Sequence, residues 1–178
     1  MVLHEAKSRT VGGIAVQSNT QKSKIWNKQT LLRIALFDIW TSNEDRNHNN
    51  YNLLMTMASG AYDWVVIDHG EAFNSNNAMQ HGLTTLTYHD SILQSELYHL
   101  IFQKPHNFAA EIELILTQFD QWITKASHET VGWIDAAPDS WGANKDEWKT
   151  FLMDEWLSLS WSNDVKQAFR EHCQSMIS

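Results

Sequence analysis

Two short apolar runs, Leu53-Leu54-Met55-Thr56-Met57 and Trp64-Val65-Val66-Ile67-Asp68, lie on either side of Ala58–Asp63, a stretch with turn chemistry. They read as an antiparallel hairpin. Closed symmetrically, it sets Leu53 opposite Asp68, and directly opposed residues in such a ladder lie about 5 Å apart. Asn50 and Asn52, just before the first run, then come beside Asp68 at the end of the second. Most of the chain before and beyond the hairpin's loops, over 27–41 and after residue 90, has helical periodicity. Leu31, Leu32, Ile34, Ala35, Phe37 and Ile39 give a broad apolar surface to a helix expected over 27–41, with Asn27 as its cap. Further helices are expected over 91–103, 107–125, 144–159 and 164–177, with Asn144 and Ser162 to Asp164 as N-terminal caps. The fold class is therefore α+β, mainly α-helical, built around one hairpin. Trp133, Trp141, Trp148, Trp156 and Trp161 cluster in the later helices, where core packing is the default reading.

The chemistry-bearing residues cluster at the hairpin's open end. The loop Asn43-Glu44-Asp45-Arg46-Asn47-His48-Asn49-Asn50 carries an aspartate and, five positions on, an asparagine; Asp68-His69-Gly70 supplies a second aspartate. A phosphoryl-transferring site uses that pattern, with one aspartate accepting the proton of the attacking hydroxyl, and the asparagine and the second aspartate on magnesium. Amide oxygens and a carboxylate are hard donors suited to magnesium, which keeps waters and takes one or two carboxylates besides phosphate oxygens. The competing reading is an asparagine-rich surface loop, because a D-x4-N step recurs by chance in many chains. Asp38, seven residues before Asp45, is expected to hydrogen-bond the loop, and Arg46 either to orient it or to meet phosphate.

Phe37-Asp38-Ile39-Trp40, Asn43-Glu44-Asp45-Arg46, Asn50-Tyr51-Asn52-Leu53-Leu54 and Val66-Ile67-Asp68-His69-Gly70-Glu71-Ala72-Phe73 together resemble the HipA-like kinases, whose relatives include the phosphatidylinositol 4-kinase-like proteins. Ala137-Pro138-Asp139-Ser140-Trp141 is similar to a further family segment. The resemblance implies a kinase C-lobe with a hairpin carrying the catalytic and metal-binding loops. It implies Asp45 as catalytic residue, Asn50 and Asp68 as cofactor and metal ligands, and ATP and Mg2+ as cofactors, with Arg46 beside the base as a second catalytic candidate. Family members precede these motifs with a mainly β N-lobe that carries a phosphate-binding loop and a lysine. Residues 1–26 offer only Thr10-Val11-Gly12-Gly13-Ile14 in that place, so they are expected to be a linker or N-lobe remnant, with the C-lobe over 27–178. The expected partners are ATP and a protein substrate or a complementary N-lobe chain.

The formal net charge of −8, with scattered Lys and Arg, argues against a nucleic-acid backbone as partner. No run of eighteen apolar residues and no secretory leader is present, and the lone Cys173 cannot form an internal disulfide, so a cytoplasmic location is expected. Cys173 reads as a passive, packed thiol. His69, His81, His89 and His99 match no zinc-site spacing. Residues 69–90 read as a polar loop in the position of an activation segment, with Thr84, Thr85, Thr87 and Ser91 as its hydroxyls. Two functions follow: an ATP- and magnesium-dependent protein Ser/Thr kinase that works when an N-lobe is supplied, or a catalytically inactive kinase-like binding module.

Overall fold

The apolar surface of the first helix wraps almost its whole circumference, which suits a helix buried on most sides rather than one lying on a surface. In the computed structural model, which describes residues 9–10, 29–58, 61–102 and 108–176, α1 (Gln29–Trp40) is that helix. Leu31, Leu32, Ile34, Ala35, Leu36, Ile39 and Trp40 are all buried. The expected cap Asn27 lies outside the described residues. Helix α1 packs against the later helices α5 (Phe108–Ala136) and α7 (Leu159–Ser175), and Ile115, Phe119, Val165 and Phe169 complete the centre of the core.

The hairpin is present with a shifted register. Strands β2 (Leu53–Ala58) and β3 (Ala61–Val66) pair antiparallel with Leu53 opposite Val66, not Asp68. The strands run closer to the turn than the sequence pattern indicates, because Ala58 and Ala61 continue the ladder instead of forming a six-residue turn. A shift of two keeps every side chain on its expected face, so Leu53 and Trp64 remain in the core. Arg9–Thr10 form a short strand β1 on the outer edge of β2, making a three-stranded sheet in the order β1-β2-β3. The rest of the expected N-terminal segment 1–26 lies outside the described residues.

Four helical boundaries differ from expectation, each for a local reason. The segment expected as one helix over 91–103 splits into a 3-10 turn, Ile92–Gln94, and α4 (Glu96–Ile101). Ser91 and Ser95 cause the break, their hydroxyls accepting from the Leu93 and Tyr98 amides at 3.2 Å each. Helix α5 continues eleven residues past the expected end at 125, through a stretch with no apolar stripe and a central Gly132, and stops just ahead of Pro138. Beyond it, α6 (Lys145–Thr150), capped as expected by Asn144, widens into a π-helical turn at Phe151–Trp156. Helix α7 then starts earlier than expected, because Ser158 and not Ser162 is its cap, the hydroxyl accepting from the Trp161 amide at 3.1 Å. The polar loop after Gly70 holds two short helical turns, α2 (Ala72–Asn76) and α3 (Ala78–His81).

Five of the described tryptophans fall into two groups. Trp40 and Trp156 stack with ring centroids 4.3 Å apart, and each indole N–H donates to the other residue's backbone carbonyl, at 3.4 and 3.1 Å. Trp161 adds a second donor to the Trp40 carbonyl at 3.0 Å. The last carbonyls of a helix have no intrahelical partner, so these two indoles close the C-terminal end of α1. Trp133 and Trp141, in contrast, are 61% and 73% exposed and depart from the core-packing expectation. Among the described residues no helix is long and apolar enough to cross a membrane.

Candidate active site

The chain leaves α1 through a tight, hydrogen-bonded turn. The Ser42 amide donates to the Ile39 carbonyl at 3.2 Å and the Asn43 amide to the Asp38 carbonyl at 2.9 Å, with Ser42 in the left-handed region at φ 49°. This is a Schellman ending with serine where glycine is usual. The side chain that makes serine strained there also anchors it, the Ser42 hydroxyl donating to the Thr84 carbonyl at 2.8 Å. The turn directs residues 43–52 into a loop at the open end of the hairpin.

Inside that loop the asparagines act as structural elements. The Asn47 side-chain oxygen accepts from the Asn49 and Asn50 amides at 2.9 and 3.3 Å, while its amide nitrogen donates to the Glu44 carbonyl at 3.0 Å. This local turn brings Asn50 back onto Asp45. The Asn50 amide donates to Asp45 Oδ1 at 2.9 Å and the Asn52 amide to Asp45 Oδ2 at 2.7 Å. Asp45 is thereby clamped by both oxygens, each retaining accepting capacity for a further donor. The sequence reading placed Asn50 and Asn52 beside Asp68; the structure joins them to Asp45. It also overlooked Asn43 and Asn47, although the tendency of asparagine to hydrogen-bond the backbone two residues on was an available signal.

Asp68 approaches from the other strand. Ile67, the residue before it, donates its amide to the Asn52 carbonyl at 3.0 Å, carrying the ladder one step past Val66 to the foot of the loop. Asp68 is exposed, has a left-handed backbone with φ 56°, and accepts the Gly70 amide at 3.3 Å. His69 presents its ring edge to Phe37, centroids 5.7 Å apart and planes at 89°. Partial burial and the Arg46 guanidinium hold the His69 imidazole below its ordinary pKa, against the pull of Asp68.

Arg46 and Asp38 lie beneath the loop, 0% and 2% exposed. One guanidinium nitrogen of Arg46 pairs with Asp38 Oδ1. The other donates to the Ile67 carbonyl at 2.9 Å and lies 3.5 Å from His69 Nε2. The Asn43 amide also donates to Asp38 Oδ1, at 3.2 Å, which is the loop contact expected of Asp38. Burial pushes the Asp38 carboxyl up to about 7, against the lowering effects of Arg46 and Asn43. After Asp68 the backbone makes a left-handed turn, Phe73, Asn74 and Ser75 having φ of 59°, 52° and 54°. It is pinned to the end of α1 by the Phe73 and Asn74 amides, which donate to the Thr41 and Ser42 carbonyls at 2.6 and 3.2 Å.

The donor set suits magnesium. The clamp uses the amide nitrogen of Asn50 on Asp45, so the carbonyl oxygen is the atom left for a hard cation, and Asp68 adds an exposed carboxylate. Among the described residues no group of three or more histidine, cysteine or carboxylate side chains gathers. A metal held here would take one carboxylate, that of Asp68, together with neutral oxygens and ligands from outside the protein.

A mainly helical body with one small antiparallel sheet thus carries, at the hairpin's open end, the clamped Asp45 on one strand's approach and the exposed Asp68 at the end of the other. A family model of HipA-like kinases matches residues 6–172, and the chain belongs to that family. Searches of curated proteins and of solved structures gave no match.

Proposed function

We propose that this chain is the C-lobe of an ATP- and magnesium-dependent protein kinase that transfers phosphate to a serine or threonine hydroxyl in the cytoplasm. A phosphate-binding N-lobe, supplied by another segment or chain, completes it. The observation that carries the reading is the clamp on Asp45. A surface loop has no need to fix both oxygens of one aspartate with amides five and seven residues later, whereas a base that must accept a proton in line does. Asp45 takes the proton of the attacking hydroxyl. Asn50 and Asp68 are the residues that hold magnesium. The chemistry magnesium supplies, when bound, is neutralisation of charge spread over the transferring phosphate oxygens. Asn52 keeps Asp45 oriented, and Arg46, fully buried, acts from beneath the loop.

The test is incubation with magnesium and ATP, with and without the product encoded immediately upstream, read by intact mass on the chain, the added product and a generic protein substrate. Phosphate gain that Asp45→Asn and Asp68→Asn each reduce by about 10²-fold or more supports the reading. Transfer undiminished by both substitutions refutes the site. Nucleotide binding without transfer under either condition points to a kinase-like binding module instead.

A further inference from the structure

We propose that the buried Asp38–Arg46 pair is the device that sets Asp68, making both residues positioning residues for the metal side of the site. This deepens the kinase reading and rests on it. Arg46 has no exposed surface, so its guanidinium does not reach a phosphate in this structure. Its two arms instead join three parts of the chain: one holds Asp38 on α1, while the other holds the Ile67 carbonyl and meets the His69 ring. Ile67 and His69 are the residues on either side of Asp68. Arg46 itself directly follows Asp45, so a single side chain ties the base's backbone to both flanks of the metal aspartate.

Two further observations give this arrangement a purpose. Asp68 adopts φ 56°, a left-handed conformation that aspartate tolerates better than most residues with a Cβ, here with a local hydrogen bond from the Gly70 amide, but one that its surroundings must still help to determine. The grip on Ile67 and His69, with the edge of His69 on Phe37, supplies that determination. The pair is also a poor way to fill space. Among the described residues, the buried atoms Asp38 Oδ2, Asn43 Oδ1 and Arg46 Nε meet no hydrogen-bond partner. Buried ion pairs are often less stabilising than apolar side chains of the same volume, so fold stability alone does not account for one with an unpartnered atom on each member. A planar, forked donor that holds a carboxylate and a carbonyl at once is a role lysine does not fill.

The experiment compares wild type, Arg46→Lys and Asp38→Asn as full chains, with Asp68→Asn as reference. Manganese is titrated in the presence of ATP and followed by water-proton relaxation, alongside hydrogen exchange of each backbone amide and thermal unfolding by circular dichroism. Lysine keeps the charge facing Asp38 and loses the second arm. The expected result is a cooperative melt for Arg46→Lys, faster exchange confined to residues 66–70, and a half-saturating manganese concentration raised about 10- to 100-fold, the usual range when a residue supporting a metal ligand is changed. Asp38→Asn, which preserves shape, moves both readouts in the same direction by less. Unchanged metal affinity in both folded variants, or exchange accelerated uniformly over the chain, overturns the proposal. The titrations are run with and without the product encoded immediately upstream, and failure of the wild type to bind manganese with ATP under both conditions appears before any variant is examined and refutes the parent reading of the site.

Discussion

Replacing Asp38 with asparagine tests which of two opposing forces governs the buried pair. Taking a carboxylate out of water favours its protonated form, while a neighbouring guanidinium favours the ionised one. In this site both the Arg46 and Asn43 contacts fall on Oδ1, and the buried Oδ2 meets no partner among the described residues. Desolvation prevails, and the carboxyl rises from 3.8 to about 7. Between those values the folded chain keeps a proton that the unfolded chain has released. Stability then falls as pH rises through that window, by an amount that for a shift of this size is worth roughly 4 kcal/mol at most. Asparagine cannot titrate, so the difference in unfolding free energy between wild type and Asp38→Asn isolates this contribution. Acids whose pKa is held down by surface partners, Glu113 by Arg170 and Asp139 by Lys145, tilt both proteins equally in the opposite sense and cancel. Urea titrations followed by the emission of nine tryptophans, at steps from pH 4 to 8, give the required curve. The wild-type advantage should shrink steadily from pH 4 to about 7 and level off above it. A flat difference, or one that grows with pH, would show that Arg46 outweighs burial and that the carboxylate is ionised throughout.

Three other outcomes follow from the geometry. Asn52→Ala removes the 2.7 Å bond to Asp45 from a half-buried position, so phosphoryl transfer should slow about tenfold, corresponding to about 1.4 kcal/mol, with KM for ATP unchanged; initial-rate kinetics at saturating magnesium checks this. Trp161→Ala should destabilise by about 3–5 kcal/mol and Trp141→Ser by no more than about 0.5, since the first indole is buried on the Trp40 carbonyl and the second is exposed; denaturant midpoints separate them. The Cys173 thiol, 1% exposed and pushed up to about 12 by burial, should not react with Ellman's reagent at pH 8 until the chain is unfolded in urea.

The parts of this molecule that were legible in sequence are those with a strong period or a paired signal. Helix α1 announces itself through six apolar residues, and the hairpin through two apolar runs around turn residues. Asp45, Asn50 and Asp68 stand out by spacing and by the motifs around them. The register was missed by two because Ala58 and Ala61, neutral in propensity, could be read as turn or as strand. The start of α7 was missed because Ser158 and Ser162 are equally good caps, and only the packing of Trp161 beneath Trp40 selects the first. The second half of α5 has no apolar stripe to reveal it. Within the site, spacing along the chain singled out the candidate residues but not what each one touches. Asn52 was expected near Asp68 and holds Asp45, and the reach of Arg46 across to Ile67 depends on a contact between residues 21 positions apart.

The closing of α1 by Trp156 and Trp161 bears on how far this site can be cut down. The residues proposed to carry the chemistry span fewer than forty positions, which invites transplantation of the stretch from Phe37 to Phe73 as a portable cassette. The exit of the chain into the Asp45 loop is nevertheless fixed by indoles more than a hundred residues downstream, and Phe73 rests on Phe151 and Trp156 from the same distant region. A graft that carried the signature alone would leave α1 frayed at the end where the loop begins. The smallest heritable unit of this site is therefore the helical body as a whole, and insertions are better tolerated at the exposed far end of α5 than anywhere between the motif and its tryptophans.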